Sequence, residues 1–372
     1  MRILHLAYED PAQPGSGGGS VRTREINRRL AARHEITCVV AGYPGAQPRV
    51  EDGVSWVPIG LRHNLTVGRL AYFTMLRAAV TRHPHDLVVE DFGAPFSVGG
   101  APLFTKRPVI ASVQWLFAAE MRTKYGLPFD WFERAGLPFY QRFIAVSGWL
   151  GRSLQTRCPA ASVEVLPNGI EQRAFEIGLE SPRHLLYVGR LDCAQKGADL
   201  LLHIIARAAA LLGDMLPPLL IVGDGPDRDK LETLTKQLGI ERRVVFCGRV
   251  MGEEKYRLMA QAYAVLMPSR FETFGMVAVE AQACGAPLIA FDIGPLGEVS
   301  GGGGAMLVPP FDEEEFALAI VRCVRNAAAL LPRRLSGRRW ARRYNWDEIA
   351  ARQERCYLNA VSAPQEYTRG LA

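Results

Sequence analysis

Short apolar runs rich in β-branched residues alternate along the chain with segments whose apolar positions recur at helical spacing. MRILHLAY, EITCVVA, HDLVVE, RPVIASV and FIAVS are the apolar runs of the first half; HLLYVG, PPLLIVG, RVVFCG, YAVLMP and APLIAF are those of the second. Helical periods occupy residues 20–33, 148–157, 197–212, 226–238, 252–262 and 275–285. Strands that are apolar at every position are buried on both faces, which predicts parallel sheets covered by helices, an α/β doubly wound architecture. Between 167 and 183 the run PNGIEQRAFEIGLESPR carries turn formers and charges without a sustained apolar period, and a second alternating series opens after it. Each half starts with a strand, a Gly-containing loop and a helix. The pattern therefore predicts two Rossmann-like domains, 1–170 and 171–345, with a cleft between them, and a last helix and polar tail over 346–372.

Composition narrows the class without changing that picture. The 372 residues are 48% hydrophobic and 22% charged, which are globular values and exclude a disordered chain, a collagen-like repeat or a coiled coil. The net charge of +6 and pI near 9.0 raise the question of a polyanionic partner. Of the 44 cations 38 are Arg and 6 are Lys. The seven cysteines lie far apart, none at CxxC spacing, so neither a zinc site nor a disulfide framework is expected, and scattered thiols fit a reducing cytoplasm. MRILHLAYED turns acidic too soon for a signal peptide, and no run of 18 apolar residues occurs, so the expectation is a soluble cytoplasmic protein. Asn64-Leu65-Thr66 matches a glycosylation sequon, which that expectation makes a coincidence.

Three segments carry candidate chemistry. Gly15-Ser16-Gly17-Gly18-Gly19-Ser20 stands between a strand and a helix, where glycines admit a close ligand and free amides favour an anion; it lacks the spacing of a P-loop or a dinucleotide fingerprint. Arg190 and Lys196, in YVGRLDCAQKG, follow a strand's carboxyl end, the edge that faces the ligand crevice in open α/β sheets. Two fixed cations there could hold a diphosphate as it leaves, with no metal required. Third, PSRFETFGMVAVEA places Glu272 in the loop after a strand and Glu280 in the second turn of the following helix. An anion on that helix's first amides would have a carboxylate near each end, suited to hydrogen bonds with sugar hydroxyls.

PSRFETFGMVAVEAQACGAP resembles the signature of family 4 of the retaining glycosyltransferases, a GT-B class with a Glu-x7-Glu pair. YVGRLDCAQKGADLLL and LLIVGDGPDRDKLETLTKQLGIERRVVFCGRV are similar to the same family's diphosphate-binding segment and the elements before its nucleotide pocket, while SGGGS, FIAVS and VLPNGIE stand where the family has similar pieces. The resemblance is strong over 184–310 and loose over 45–140. It implies a GT-B fold in which domain 1–170 binds the acceptor, domain 171–345 binds the nucleotide sugar, and the C-terminal helix returns to the N-terminal domain. It implies a hexosyltransferase that needs no cofactor and takes a UDP-sugar or GDP-sugar. Arg190, Lys196 and Glu272 would form the catalytic set. Gly17, Gly18, Gly19, Gly189, Val250, Phe274, Gly275, Met276, Val277 and Glu280 would line the donor site, with Phe274 to Met276 presenting backbone amides and Val250 lying near the base.

The sequence departs from the family at Ser112-Val113-Gln114-Trp115, where a histidine is often found; Gln114 can hydrogen-bond a sugar but cannot carry a proton. Gln114 and Trp115 are the acceptor-site candidates, within an aromatic stretch that includes Phe117, Tyr125, Phe129 and Trp131. His5 and His203 read as structural. Asp227-Arg228-Asp229 imitates a metal-binding Asp-x-Asp, but its position at a helix start explains the acids without a metal. The run Arg333 to Arg343, interleaved with Trp340 and Tyr344, reads as an exposed linking helix, with peripheral contact at the inner face of a membrane as the alternative. Two other functions compete: a GT-B nucleotide-sugar epimerase or phosphorylase, and a basic module that binds nucleic acid or membrane.

Overall fold

The computed structural model describes residues 1–94, 96–116 and 118–363. Its chain divides into two compact units, Met1–Gly169 joined by the segment from Trp346 on, and Ile170–Asn345.

The first unit is built on strands β1 (Arg2–Tyr8), β2 (Glu35–Ala41), β3 (Arg49–Glu51), β4 (Val54–Ile59), β5 (Leu87–Asp91), β6 (Val109–Val113), β7 (Arg142–Ala145) and β8 (Ser162–Val165). They form one sheet in the order β3-β4-β2-β1-β5-β6-β7-β8. Helices α1 (Gly18–Leu30), α2 (Leu65–Arg82), α3 (Ala118–Tyr125), α4 (Phe129–Gly136) and α5 (Gly148–Arg157) connect them. Pairing is parallel except at β3, which runs antiparallel to β4 and corrects the expectation of wholly parallel sheets. The cause is local. Asp52 and Gly53 both take positive φ, 51° and 77°, the two-residue turn whose twist suits a hairpin. Asn64, of the sequon, caps α2 by accepting from the amides of Thr66 at 2.8 Å and Val67 at 3.3 Å.

The second unit holds β9 (His184–Val188), β10 (Leu219–Val222), β11 (Val244–Gly248), β12 (Ala262–Met267), β13 (Leu288–Phe291) and β14 (Ala305–Val308), all parallel, in the order β11-β10-β9-β12-β13-β14. Its helices are α6 (Arg173–Glu176), α7 (Cys193–Lys196), α8 (Ala198–Leu212), α9 (Arg228–Gln237), α10 (Gly252–Ala260), α11 (Met276–Ala283), α12 (Leu296–Val299), α13 (Glu313–Arg325) and α14 (Leu330–Ala341). Leu201, Leu202, Ile204, Ile205 and Leu212 of α8 are fully buried against the sheet and against Phe316 and Ile320 of α13. Each such side chain contributes about 1.5–3 kcal/mol relative to exposure. His203 points away from that core and is exposed, so it does not fill the structural role expected of it.

Helix α15 (Trp346–Ser362) belongs to the first unit, where Trp346, Ile349, Ala350, Tyr357 and Ala360 join Ile26 and Leu30 of α1 in one core. The tail from 364 on, including that part of the expected 346–372 segment, lies outside the described residues. Among the described residues no helix is long and apolar enough to cross a membrane.

Candidate functional site

The order of the second sheet reverses between β9 and β12, because the chain winds outward from β9 to β11 and then crosses back. The loops after those two strands lead off to opposite sides of that switch point, and in such folds the crevice at this carboxyl edge is the usual ligand position. Arg190 and Lys196 follow β9; Glu272 follows β12.

Close backbone approach shapes the β9 side. A Cβ at Gly223 would lie 1.8 Å from the Gly189 carbonyl, so the turn after β10 crosses the end of β9 only because residue 223 has no side chain. Asp192 caps α7, accepting from the Gln195 amide at 3.1 Å. Gly197, at φ 62°, then turns the chain into α8, and a Cβ there would sit 2.1 Å from the Pro268 carbonyl. The α7–α8 corner therefore presses directly on the loop after β12. Arg190 is exposed, and its carbonyl accepts from the Tyr187 hydroxyl at 3.0 Å. Burial first, and then the charge of Glu272, push the Tyr187 hydroxyl well above the ordinary tyrosine range, so it stays a donor.

Lys196 Nζ donates to Glu272 Oε1 at 2.6 Å, and Ser269 Oγ donates to the same oxygen at 2.9 Å. Glu272 is only 7% exposed, so this pair is screened far less than a surface one. Gly275 caps α11 at φ 88° in the left-handed region, and a Cβ would meet Leu296 at 2.7 Å. That turn leaves the first amides of α11, at Met276 and Val277, at the same edge. Phe274 is buried with its ring edge-on to Tyr344 at 5.7 Å, so only its backbone can face a ligand. Glu280, 8% exposed, accepts from Lys255 Nζ of α10 at 2.9 Å through Oε1. Val250, half-buried, follows β11.

Sequence reasoning missed three side chains here. Lys255 pairs with Glu280, and Arg270 makes a two-pronged ion pair with Asp199 at 2.7 and 2.9 Å. Arg270 lies inside the quoted signature, but its partner is 71 positions away and no spacing rule connects them. Asp227, of the Asp-x-Asp triplet, accepts from the Cys193 amide at 2.7 Å and so helps to seat α7.

In the first unit, α1 begins at Gly18, earlier than the period beginning at residue 20 predicts, with Gly17 as its cap. The Gly17 amide donates to Glu9 Oε2 at 2.9 Å, so a carboxylate of the same chain sits on that helix start. A Cβ at Gly19 would lie 3.5 Å from Cγ of Gln114. Gln114 accepts from Asn168 Nδ2 at 3.1 Å, while its own Nε2 is buried and makes no hydrogen bond among the described residues. Asn168 in turn accepts from the buried Arg22 at 3.1 Å. Trp115 is half-buried beside Gln114. Of the aromatic stretch, Phe129 packs inward with Ala118 and Met121, Trp131 is 64% exposed, and Phe117 lies outside the described residues. His5 is buried, with Nδ1 2.8 Å from Asn27 Nδ2 and Nε2 3.1 Å from Asp91 Oδ2. Burial opposes the Asp91 charge, but His5, Thr23 and Ser112 together hold its pKa below the ordinary value.

The Arg-rich stretch is the exposed helix that the sequence suggests only in part: Arg339, Arg342 and Arg343 are exposed, and the other three arginines are not. Arg334 is buried in α14 and donates to the carbonyls of Gly285, Glu180 and Ala260, each at 2.7 Å. Arg338 donates to the Ile177 carbonyl at 2.7 Å and to that of Phe175. Arg333 reaches the carbonyls of Gly303 and Ala305, and Arg343 stacks on Trp340 at 3.2 Å.

The family model for glycosyltransferase family 4 matches residues 16–173, and that for glycosyl transferases group 1 matches residues 182–326. Glycogen synthase of Mycobacterium tuberculosis is 27% identical over 401 residues, covering 97% of this chain and 95% of that protein. D-inositol 3-phosphate glycosyltransferase of Corynebacterium urealyticum is 33% identical over 224 residues, 56% of this chain and 51% of its own. Among solved structures, sucrose-phosphate synthase from Thermosynechococcus elongatus superposes with a TM-score of 0.81 at 21% identity, covering 98% of this chain and 100% of that one. Anabaena HepE, solved with UDP and glucose, gives 0.73 at 19% identity over 96% and 99%. With both halves matched in order and the GT-B architecture shared along the chain, this protein is a glycosyltransferase and belongs to the group 1, family 4 glycosyltransferases.

Proposed function

We propose that the chain is a retaining, metal-independent hexosyltransferase that moves a sugar from a nucleoside-diphosphate donor, UDP-linked or GDP-linked, to a hydroxyl acceptor. The observation that carries this reading is the Lys196–Glu272 contact of 2.6 Å at the β9/β12 switch point, which joins a cation suited to a diphosphate with a carboxylate suited to a sugar. HepE, solved with UDP and glucose, supports UDP and a hexose.

On this reading the diphosphate lies on the first amides of α11, with Arg190, Lys196 and Gly189 on its other side. Glu280 takes the ribose hydroxyls, Val250 lies near the base, and Glu272 takes the hydroxyls of the transferred sugar. As the bond from the anomeric carbon breaks, its electron pair passes to the phosphate oxygen, and the two cations stabilise that charge in place of a metal. The acceptor hydroxyl attacks from the leaving-group face, bonds to the same carbon and gives its proton to the departing phosphate. Retention of configuration follows. We assign donor binding to 171–345 and acceptor binding to 1–170, where Gln114 and Trp115 are the candidate acceptor contacts and Gly17–Gly19 a further diphosphate contact. The activity is assigned to the cytoplasm. Because most of the Arg-rich stretch is engaged by carbonyls and a ring, it lends no support to membrane contact.

A thermal-shift screen of UDP-, GDP-, ADP- and dTDP-sugars identifies the donor, because a ligand that binds only the folded state raises apparent stability by mass action. With that donor, release of nucleoside diphosphate should need the acceptor and survive EDTA, and NMR of the product should show the donor's anomeric configuration. Inversion, or an Arg190→Ala enzyme with intact kcat and a raised donor KM, would overturn the mechanism.

A further inference from the structure

Arg270 precedes Glu272 by two residues, yet its side chain turns away from the crevice and into the α7–α8 corner. Its two terminal nitrogens meet both oxygens of Asp199, in the first turn of α8, at 2.7 and 2.9 Å. Nη1 also donates to the carbonyl of Cys193, the first residue of α7, at 2.5 Å. Its backbone amide donates to the Gln195 carbonyl at 2.9 Å. Four bonds from one residue thus fasten the β12–α11 loop to the segment that carries Lys196. The side chains of Arg270 and Asp199 are 31% and 25% exposed, partly shielded from water but outside the core. The pair holds charge strongly: Asp199 raises the guanidinium pKa, and although burial opposes the Asp199 carboxylate, Arg270 holds it below its ordinary value.

We propose that Arg270, with Asp199, is a positioning residue that sets Lys196 against Glu272. The proposal rests on the donor-binding reading of those two side chains. An arginine is needed because a planar fork can satisfy a carboxylate and a carbonyl together, whereas a lysine offers a single point of charge. The loop keeps its other anchors when the fork is removed, namely buried Ser269 and the close approach of Gly294 to the Glu272 carbonyl. Loss of Arg270 should therefore loosen the corner and leave the unit folded.

Competitive acetylation of the full chain with acetic anhydride, read by mass spectrometry, tests this without any donor, since the chain has only six lysines. Lys255, paired with Glu280, is the internal reference. In Arg270→Ala the rate at Lys196 should rise about threefold or more relative to Lys255, as an amine that loses its charge-assisted hydrogen bond to Glu272 is open to the reagent. Asp199→Ala should do the same, and the double variant should add nothing, because the two act as one unit. An unchanged ratio in Arg270→Ala overturns the proposal. If all lysines react faster, the variant has unfolded and Arg270→Lys decides: a smaller rise confined to Lys196 supports the proposal, and none overturns it. A second arm measures turnover of the donor found in the screen. There kcat should fall about tenfold while donor KM changes little, because misplacement acts on the reacting geometry. Wild-type protein that turns over no nucleotide sugar would defeat the functional reading and leave the labelling result to stand or fall alone.

Discussion

Glu280 and Arg334 show two different uses of a shielded charge. Glu280 keeps one oxygen on Lys255, and under the proposed ribose contact Glu280→Gln should weaken UDP binding about tenfold, roughly 1.4 kcal/mol, with a smaller effect on kcat. Titration calorimetry with UDP checks this, and a change under about twofold would contradict the ribose assignment. Arg334 faces no ligand. Burial lowers its guanidinium pKa, and all three of its partners are backbone carbonyls. Arg334→Met should cost about 2–4 kcal/mol in urea unfolding, because three carbonyls lose their donor at once. The sequence made Glu272, Glu280, Arg190 and Lys196 candidates, since each stands at a strand end or helix start within a recognisable run. It could not do so for Arg334, whose partners lie 49, 154 and 74 positions away, so its apparent membership of a charged surface stretch was the only pattern available.

At the scale of elements, the apolar strands were readable because a strand buried on both faces leaves no polar alternation to confuse it. Edge structure was harder. β3 is short and only half-buried, and the Asp52-Gly53 pair that turns it into a hairpin was its one legible sign. Docking of α15 on α1 rests on long-range pairs that no local period records: Arg33 and His34 both meet Glu354, and Arg29 meets Asp347. The hydrogen bond from Arg33, outweighing burial and joined by His34, holds the Glu354 carboxyl below its ordinary value of 4.5. A depressed acid stabilises the fold above the ordinary value and loses that contribution as pH falls through the lowered one. Glu354→Gln should thus be less stable than wild type by about 1 kcal/mol at neutral pH, the pair being partly exposed. The gap should close in urea titrations carried into strong acid; one that stayed constant would place the stabilisation elsewhere.

For the whole molecule, two units with separate cores predict two calorimetric transitions. UDP should raise chiefly the transition of the unit that carries Glu280, by about 2.7 kcal/mol of apparent stability at a hundred times its Kd. Trp346→Ala should lower only the other, by about 3–5 kcal/mol, since that ring is buried and a Cβ at Gly169 would stand 2.4 Å from it. A single transition moved by both changes would mean that the units melt together. The alternation of strands and helices made two α/β halves legible, but the return of α15 to the first half came from family resemblance, since no local pattern encodes which core a final helix joins. That return has a consequence for synthesis. The first unit cannot be finished while the chain is being made, because α15, part of its core, emerges only after the whole second unit. At roughly 5–20 residues per second, α1 leaves the ribosome and waits ten seconds or more for the helix that completes its core. The nascent first unit is then a natural client for a chaperone, and a stop codon just before Trp346 would strand it there.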